Sequence, residues 1–240
     1  MLIYGKNSVF ERLKVNPKSI KKILMSQDFK FPNLEKLIKI NQIPTQRLSK
    51  INLSKIKPST NLQGIVAYVE EFCYTPFEKI LIKAKEKGSV ILFLDRITDP
   101  QNLGAIIRIC ACFGNFSIVI PEYKACPITE TVLNVAKGGE NYVEVAKVVN
   151  LCNSILEAKR QGFWIAGAIA NKNEENISKI SFPFPLGIVL GSEGEGIRYG
   201  IDKHLDIKFH IYTSGADLSL NVTSACSIIC YEISRQWKKY

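Results

Sequence analysis

Histidine is almost missing from this sequence: His204 and His210 are the two copies in 240 residues. A Ser-His-acid triad would need one of them, and neither stands in a recognisable setting. The seven cysteines are an odd number and include no Cys-x-x-Cys, so neither a disulfide framework nor a zinc-type ligand set is indicated. Cys110 and Cys112 lie in a helix-like apolar run, and Cys226 and Cys230 stand four apart on another. These read as small core residues, those of the second pair on one face. No metal site is expected, and reduced thiols suit the cytosol. No apolar run reaches the length of a membrane span. The opening Met1-Leu2-Ile3-Tyr4-Gly5-Lys6 lacks the plan of a signal peptide. A soluble, cytoplasmic protein with no membrane partner is expected.

What is present is an ordinary core and an uneven charge. Apolar residues make up 46% of the chain, enough for one or two domains with real cores. The formal net charge is +10. Residues 1–74 hold 13 Lys/Arg against 5 Asp/Glu, whereas residues 75–240 hold 19 against 17. Such asymmetry suggests a polyanion partner for the first part; the alternative is a solvated, lysine-rich surface.

Periodicity divides the chain at about residue 74. Before it, helical patterns cover residues 6–14, 34–40 and 48–56, and strand patterns cover 20–25 and 64–69. The expected domains are 1–74, a small α/β unit, and 75–240. In the second, strands are expected at 90–94, 116–120, 143–149, 164–168, 186–190 and 207–211. Helices are expected at 77–87, 103–113, 129–136, 151–161 and 222–236. The run Val90-Ile91-Leu92-Phe93-Leu94 is apolar without alternation, as in a parallel strand buried on both faces. Alternating strands and helices predict a parallel sheet covered on both sides.

Three polar segments follow apolar runs and open predicted helices, at the strand ends where parallel sheets bind ligands. The first is Asp99-Pro100-Gln101-Asn102-Leu103-Gly104-Ala105-Ile106-Ile107-Arg108. Asn102 suits a helix N-cap. Arg108 is the one charge between Leu103 and Phe113, and in such company it calls for a carboxylate or a substrate phosphate. The second, Gly191-Ser192-Glu193-Gly194-Glu195-Gly196, has neither dinucleotide-fingerprint spacing nor a P-loop lysine. Its glutamates disfavour phosphate, and its exposed backbone suits a neutral or cationic adenosine-containing ligand. The third, Ser219-Leu220-Asn221-Val222-Thr223, could simply cap the last helix.

Together, and in this order, the segments resemble the D-P-x-N-x-G-A-x-x-R, G-x-E-G-x-G and S-L-N-V-S motifs of the SpoU/TrmH family of SPOUT RNA 2′-O-ribose methyltransferases. Tyr4-Gly5-Lys6-Asn7-Ser8-Val9-Phe10-Glu11-Arg12-Leu13 and Gln63-Gly64-Ile65-Val66-Ala67 resemble the start and end of the extra RNA-binding domain of the 23S rRNA guanosine-2′-O-methyltransferase branch. Two positions depart from that pattern. Tyr212-Thr213 replaces Pro-Met before the third motif, and Leu62 replaces a frequent His.

The resemblance implies an α/β fold: a parallel-sheet SPOUT domain with a deep trefoil knot, preceded by an RNA-binding domain like a ribosomal protein. It implies S-adenosylmethionine as cofactor, held near Leu190, Gly191, Gly196, Ile211 and Leu220. Arg108, Asn102, Glu193, Ser219 and Asn221 would be the catalytic group, with Arg108 acting as base or as electrostatic stabiliser. It also implies an RNA partner, most simply rRNA, and a homodimer whose active site draws on both subunits. A tRNA enzyme and a non-catalytic RNA-binding module are the alternatives.

Overall fold

A computed structural model describes residues 1–171, 173–192, 194–216 and 218–237. The basic first third forms β1 (Leu2–Tyr4), α1 (Lys6–Val15), β2 (Ile20–Ser26), α2 (Pro32–Ile40), β3 (Thr45–Leu48), α3 (Lys50–Ser54) and β4 (Ile65–Val69). Its sheet has the order β1-β4-β2-β3; β4 is antiparallel to both neighbours and β3 is parallel to β2. The helix expected over 48–56 is shorter. Leu48 ends β3, and Ser49 caps α3 by accepting a bond from the Asn52 N–H. β3 escapes a search for alternation because none of its four residues is buried.

The rest of the chain builds α4 (Phe77–Lys87), β5 (Val90–Asp95), α5 (Pro100–Phe113), β6 (Phe116–Pro121), α6 (Glu130–Ala136), β7 (Val145–Val148), α7 (Leu151–Arg160), β8 (Trp164–Ala168), β9 (Glu175–Asn176), β10 (Leu186–Gly191), α8 (Tyr199–Asp202), β11 (Ile207–His210) and α9 (Val222–Trp237). The seven strands run parallel in the order β7-β6-β5-β10-β8-β11-β9. A late strand, β10, is thus inserted at the centre, in register Leu190 to Leu94 and Gly191 to Asp95. Both faces are covered, as continuous apolar strands require. Val90, Leu92 and Leu94 enter the cluster that holds α5, α6 and α9, while Ile91 and Phe93 pack with Ile80, Leu81 and Ile155 of α4 and α7.

The two sheets share one apolar cluster, which runs from Ile3, Val9 and Leu13 to Ile106, Leu133 and Ile229. Polar bonds fix the seam. The outer edge of β1 meets α6: the Leu2 N–H donates to Glu130 Oε1 at 2.7 Å and the Tyr4 N–H to Asn134 Oδ1 at 2.9 Å. Asn134 Nδ2 returns a bond to the Leu2 carbonyl at 3.1 Å. A strand edge that would be open is thereby satisfied by side chains. Arg12 of α1 and Glu140 form a buried ion pair at 3.0 Å. Among the described residues, no helix is long and apolar enough to cross a membrane.

Candidate active site

Strand order places the polar segments. Adjacent at the carboxyl edge of the large sheet are the ends of β5, β10, β8 and β11. The order in which successive strands are added reverses around this point, which is where open α/β sheets bind ligands. Leu190 is buried, Gly191 is half-buried, and Ile211 follows β11, packed against the main core.

Residues 191, 192 and 194–198 are held close to the sheet. Gly196 N–H bonds the Ser192 carbonyl at 3.0 Å. A Cβ on Gly191 would collide with the backbone of Gly196 and Ile197, so the first glycine of the motif is required by close approach. Gly194 and Gly196 have φ of +87° and +66°, and both face open space where a Cβ would stand. Asp95, fully buried at the end of β5, accepts bonds from the Arg198 N–H at 3.0 Å and Nε at 2.8 Å. Arg96, in a left-handed conformation at φ 60°, pairs with Glu195. Sequence reading missed Asp95, Arg96 and Arg198. The available signal was an aspartate closing a fully apolar strand, where an acid is costly unless paired.

The first segment starts α5 earlier than expected. Asp99 is its N-cap, accepting from the Gln101 N–H at 2.9 Å, with Pro100 in the first turn. Asn102 is therefore inside the helix rather than capping it, and it is buried. Arg108 corrects the sequence expectation more strongly. It projects from the outer face of α5, exposed, with no hydrogen bond or ion pair to any described residue. Its face is shared with Gln101, Ala105 and Cys112, while Leu103, Ile107 and Cys110 point inward. Arg108 lines a cavity of about 380 Å³ with Ala105, Val135, Thr223, Ser224 and Ser227, between α5, α6 and the start of α9. Six residues separate it from Asn102, about 9 Å along the helix axis.

In the third segment Asn221 caps α9: its Oδ1 accepts from the Thr223 N–H at 2.8 Å and Oγ1 at 2.6 Å. Ser219 and Leu220 are exposed beside it. Glu193 lies outside the described residues.

The cysteines divide. Cys112, expected in the core, is exposed on the Arg108 face. Cys110, Cys226 and Cys230 meet in the α5–α9 interface, with sulfurs all within 4.8 Å of one another. Ligand spacing in the sequence gave no sign of this trio. Hydrogen bonding to Cys226 and Cys230, with burial, holds the Cys110 thiol well above the ordinary range. The contacts suit protonated thiols, because three thiolates there would place charge in an apolar core.

The candidate site thus combines a parallel α/β sheet, a glycine turn at the strand-order reversal and an arginine that has no partner among the described residues, in a groove. Comparison with known proteins makes this specific. Residues 89–231 match the SpoU rRNA methylase family, and residues 2–75 match the RNA 2′-O ribose methyltransferase substrate-binding family. A tRNA/rRNA methyltransferase-type protein of Synechocystis is 34% identical over 98% of this chain, which spans 62% of that relative's length. A Staphylococcus saprophyticus protein assigned to the TrmH family of tRNA/rRNA methyltransferases is 32% identical over 98% of this chain and 96% of its own length. The fold matches the SpoU methyltransferase AviRb of Streptomyces viridochromogenes, solved with AdoMet, at TM-score 0.80 and 18% identity, over 100% of this chain and 91% of that one. It also matches an AdoMet-bound rRNA methyltransferase of Sinorhizobium meliloti at TM-score 0.79 and 20% identity, over 98% and 86% of the two chains. This chain belongs to the SpoU/TrmH family of RNA methyltransferases.

Proposed function

We propose that this protein transfers a methyl group from S-adenosylmethionine to a ribose 2′-hydroxyl of RNA, most simply a guanosine of 23S rRNA in the cytoplasm. Residues 1–74 would grip the RNA and residues 75–240 carry out the transfer. The observation that carries the reading is Arg108: an exposed guanidinium without a partner among the described residues, in a groove at the start of α9.

The residues around the glycine turn fit the cofactor. Gly194, Gly196 and Gly215 present backbone to open space, so main-chain groups of 190–196 and 211–220 would hold an adenosine-containing ligand. When bound, that ligand supplies a cationic methyl group. The chain's task is then to bring the ribose hydroxyl into line and to accommodate the charge that develops on its oxygen. Arg108 suits this as a fixed positive charge that binds the neighbouring phosphate and the developing alkoxide. Arginine stays protonated in proteins, which disfavours its service as a base. Buried Asn102 and the Asn221 cap position the two helices that bear and face Arg108.

Two further elements belong to the same reading. Insertion of β10 at the sheet centre supports the deep trefoil knot of this fold. The exposure of Arg108 in a groove on the outer face of α5 supports a homodimer, in which Arg108 of one protomer serves the cofactor held by its partner. The test is transfer of labelled methyl from S-adenosylmethionine to rRNA from cells lacking this protein, followed by mapping of 2′-O-methyl sites. Absence of transfer to any RNA would overturn the reading, and modification confined to tRNA would move the substrate.

A further inference from the structure

Tyr4, Lys57 and Lys137 meet at the seam between the two sheets. Tyr4 ends β1, Lys57 follows α3, and Lys137 follows α6. The Lys57 ammonium lies 5.0 Å from the centre of the Tyr4 ring and the Lys137 ammonium 5.9 Å from it. Each cation gains from the ring, but two like charges on one ring also repel. Neither lysine has a carboxylate partner among the described residues. The seam's own carboxylates are engaged: Glu11 with Lys14 and Tyr142, Glu130 with the Leu2 N–H, and Glu140 with Arg12. What the arrangement lacks is an anion.

The backbone carries a second, independent sign. Lys137 is the C-cap of α6 at φ 55° and ψ 33°, a left-handed conformation that crowds the Cβ of a non-glycine residue. Glycine is the usual residue at such a cap. Of the seven described non-glycine residues with positive φ, Lys137 is the one whose ammonium lies over a ring that a second cation also faces. The position is informative too. Gly138 packs against Glu11 of α1, and a Cβ on Gly139 would stand 3.0 Å from the Arg108 Cα. Lys137 is thus two residues from backbone contact with Arg108, about 8 Å of chain.

We propose that Lys57 and Lys137, held around Tyr4, form a phosphate seat for RNA that leads the strand from the basic small sheet to the Arg108 groove. The inference rests on the RNA methyltransferase reading above. The seat takes a backbone phosphodiester and reads no base, because lysine acts on phosphate as a point charge. It also couples binding to position, since one charge comes from each sheet.

The test uses the full chain and a fluorescein-labelled, mixed-sequence, single-stranded 16-nucleotide RNA, titrated at several salt concentrations. The variants are Lys137→Gly, Lys57→Gln and the pair together. Lys137→Gly should melt at or above the wild-type temperature, because glycine relieves the left-handed strain, while binding RNA more weakly. The slope of log affinity against log salt should shallow by about 0.7 for each lysine lost, and by about 1.4 for the pair. S-adenosylmethionine affinity by calorimetry should be unchanged. A double variant that is folded and keeps the wild-type slope overturns the seat, even if the protein methylates RNA. Stabilisation by inorganic phosphate that depends on both lysines, without any loss of RNA affinity in the variants, assigns the seat to a free anion and also overturns it. A wild-type chain that binds no RNA overturns this seat and the methyltransferase reading together.

Discussion

The two sheets differ in where their functional information lies. In the large sheet it lies in geometry. The net charge of residues 75–240 is nearly balanced, and the candidate site depends on a glycine turn, the clamp of exposed Arg198 on buried Asp95 and the face of α5 from which Arg108 projects. In the small sheet it lies in charge. Its excess of Lys/Arg is spread over exposed positions such as Lys18, Lys21, Lys22 and Lys30, with no comparable cluster of close backbone approaches. A methyl-transfer site requires atoms placed within tenths of an ångström, whereas a polyanion can be held by many screened charges. The seam is where the two kinds of information meet, and it buries the Arg12–Glu140 ion pair.

The sharpest way to break the comparison is at the seam. Arg12→Ala leaves the Glu140 carboxylate buried without its cation, and it should destabilise folding by about 3–5 kcal/mol in urea unfolding. Arg12 Nε and Glu140 Oε2 already lack partners among the described residues. The double variant Arg12→Met, Glu140→Gln should therefore recover most of the loss. A mild single-variant effect would show that the sheets are less firmly joined.

Next in size is the chemistry. Arg108→Ala should lower methyl transfer by about 10²–10³-fold, the range for removing one group that stabilises developing charge. Its melting temperature should stay at the wild-type value, because the side chain is exposed and unpaired. Retained transfer would remove Arg108 from its assigned role, and loss of stability would make it structural.

Gly104→Ala tests geometry inside the large-sheet unit. A Cβ there would stand 2.6 Å from Val135 Cβ and 2.8 Å from the Val132 carbonyl, so α5 and α6 would have to separate. A cost of about 1–3 kcal/mol is expected from overpacking, with weaker transfer because Val135 also lines the Arg108 groove. The smallest effect belongs to single surface charges. Lys21→Gln should change stability by less than about 0.5 kcal/mol. It should shallow the salt dependence of RNA binding by at most about 0.7. If a surface lysine change lowered methyl transfer at saturating RNA as much as Arg108→Ala does, the division between geometry and charge would fail.

Much of the fold was legible. The buried strands β5, β6, β8 and β10 announced themselves as short apolar runs, β11 by its alternating Ile207-Lys208-Phe209-His210, and α1, α4, α5, α7 and α9 as periodic runs, because burial on one or two faces dictates those patterns. β1 and β3 were not legible. Three or four residues carry no period, and β1 is defined by pairing with β4, more than 60 positions away, in the register Leu2 to Tyr68. At the site, the residue types of the three segments identified the family. The arrangement of those residues came from packing. Arg108 was read as a charge among apolar neighbours, yet helical geometry turns Gln101, Ala105, Arg108 and Cys112 to one side, a face that could have been read from i, i+4 and i+7 spacing.

The sequence alone determined the element types, the charge division near residue 74 and the three segments that mark the family, since each depends on residues that are neighbours in the chain. Tertiary structure alone decided that β10 lies between β5 and β8, that Asp95 clamps Arg198, that three cysteines converge between α5 and α9, and that Lys57 and Lys137 share the ring of Tyr4. These are contacts between distant parts of the chain. They form because the apolar faces of both sheets must be buried together, and no local pattern records which partner that burial will supply.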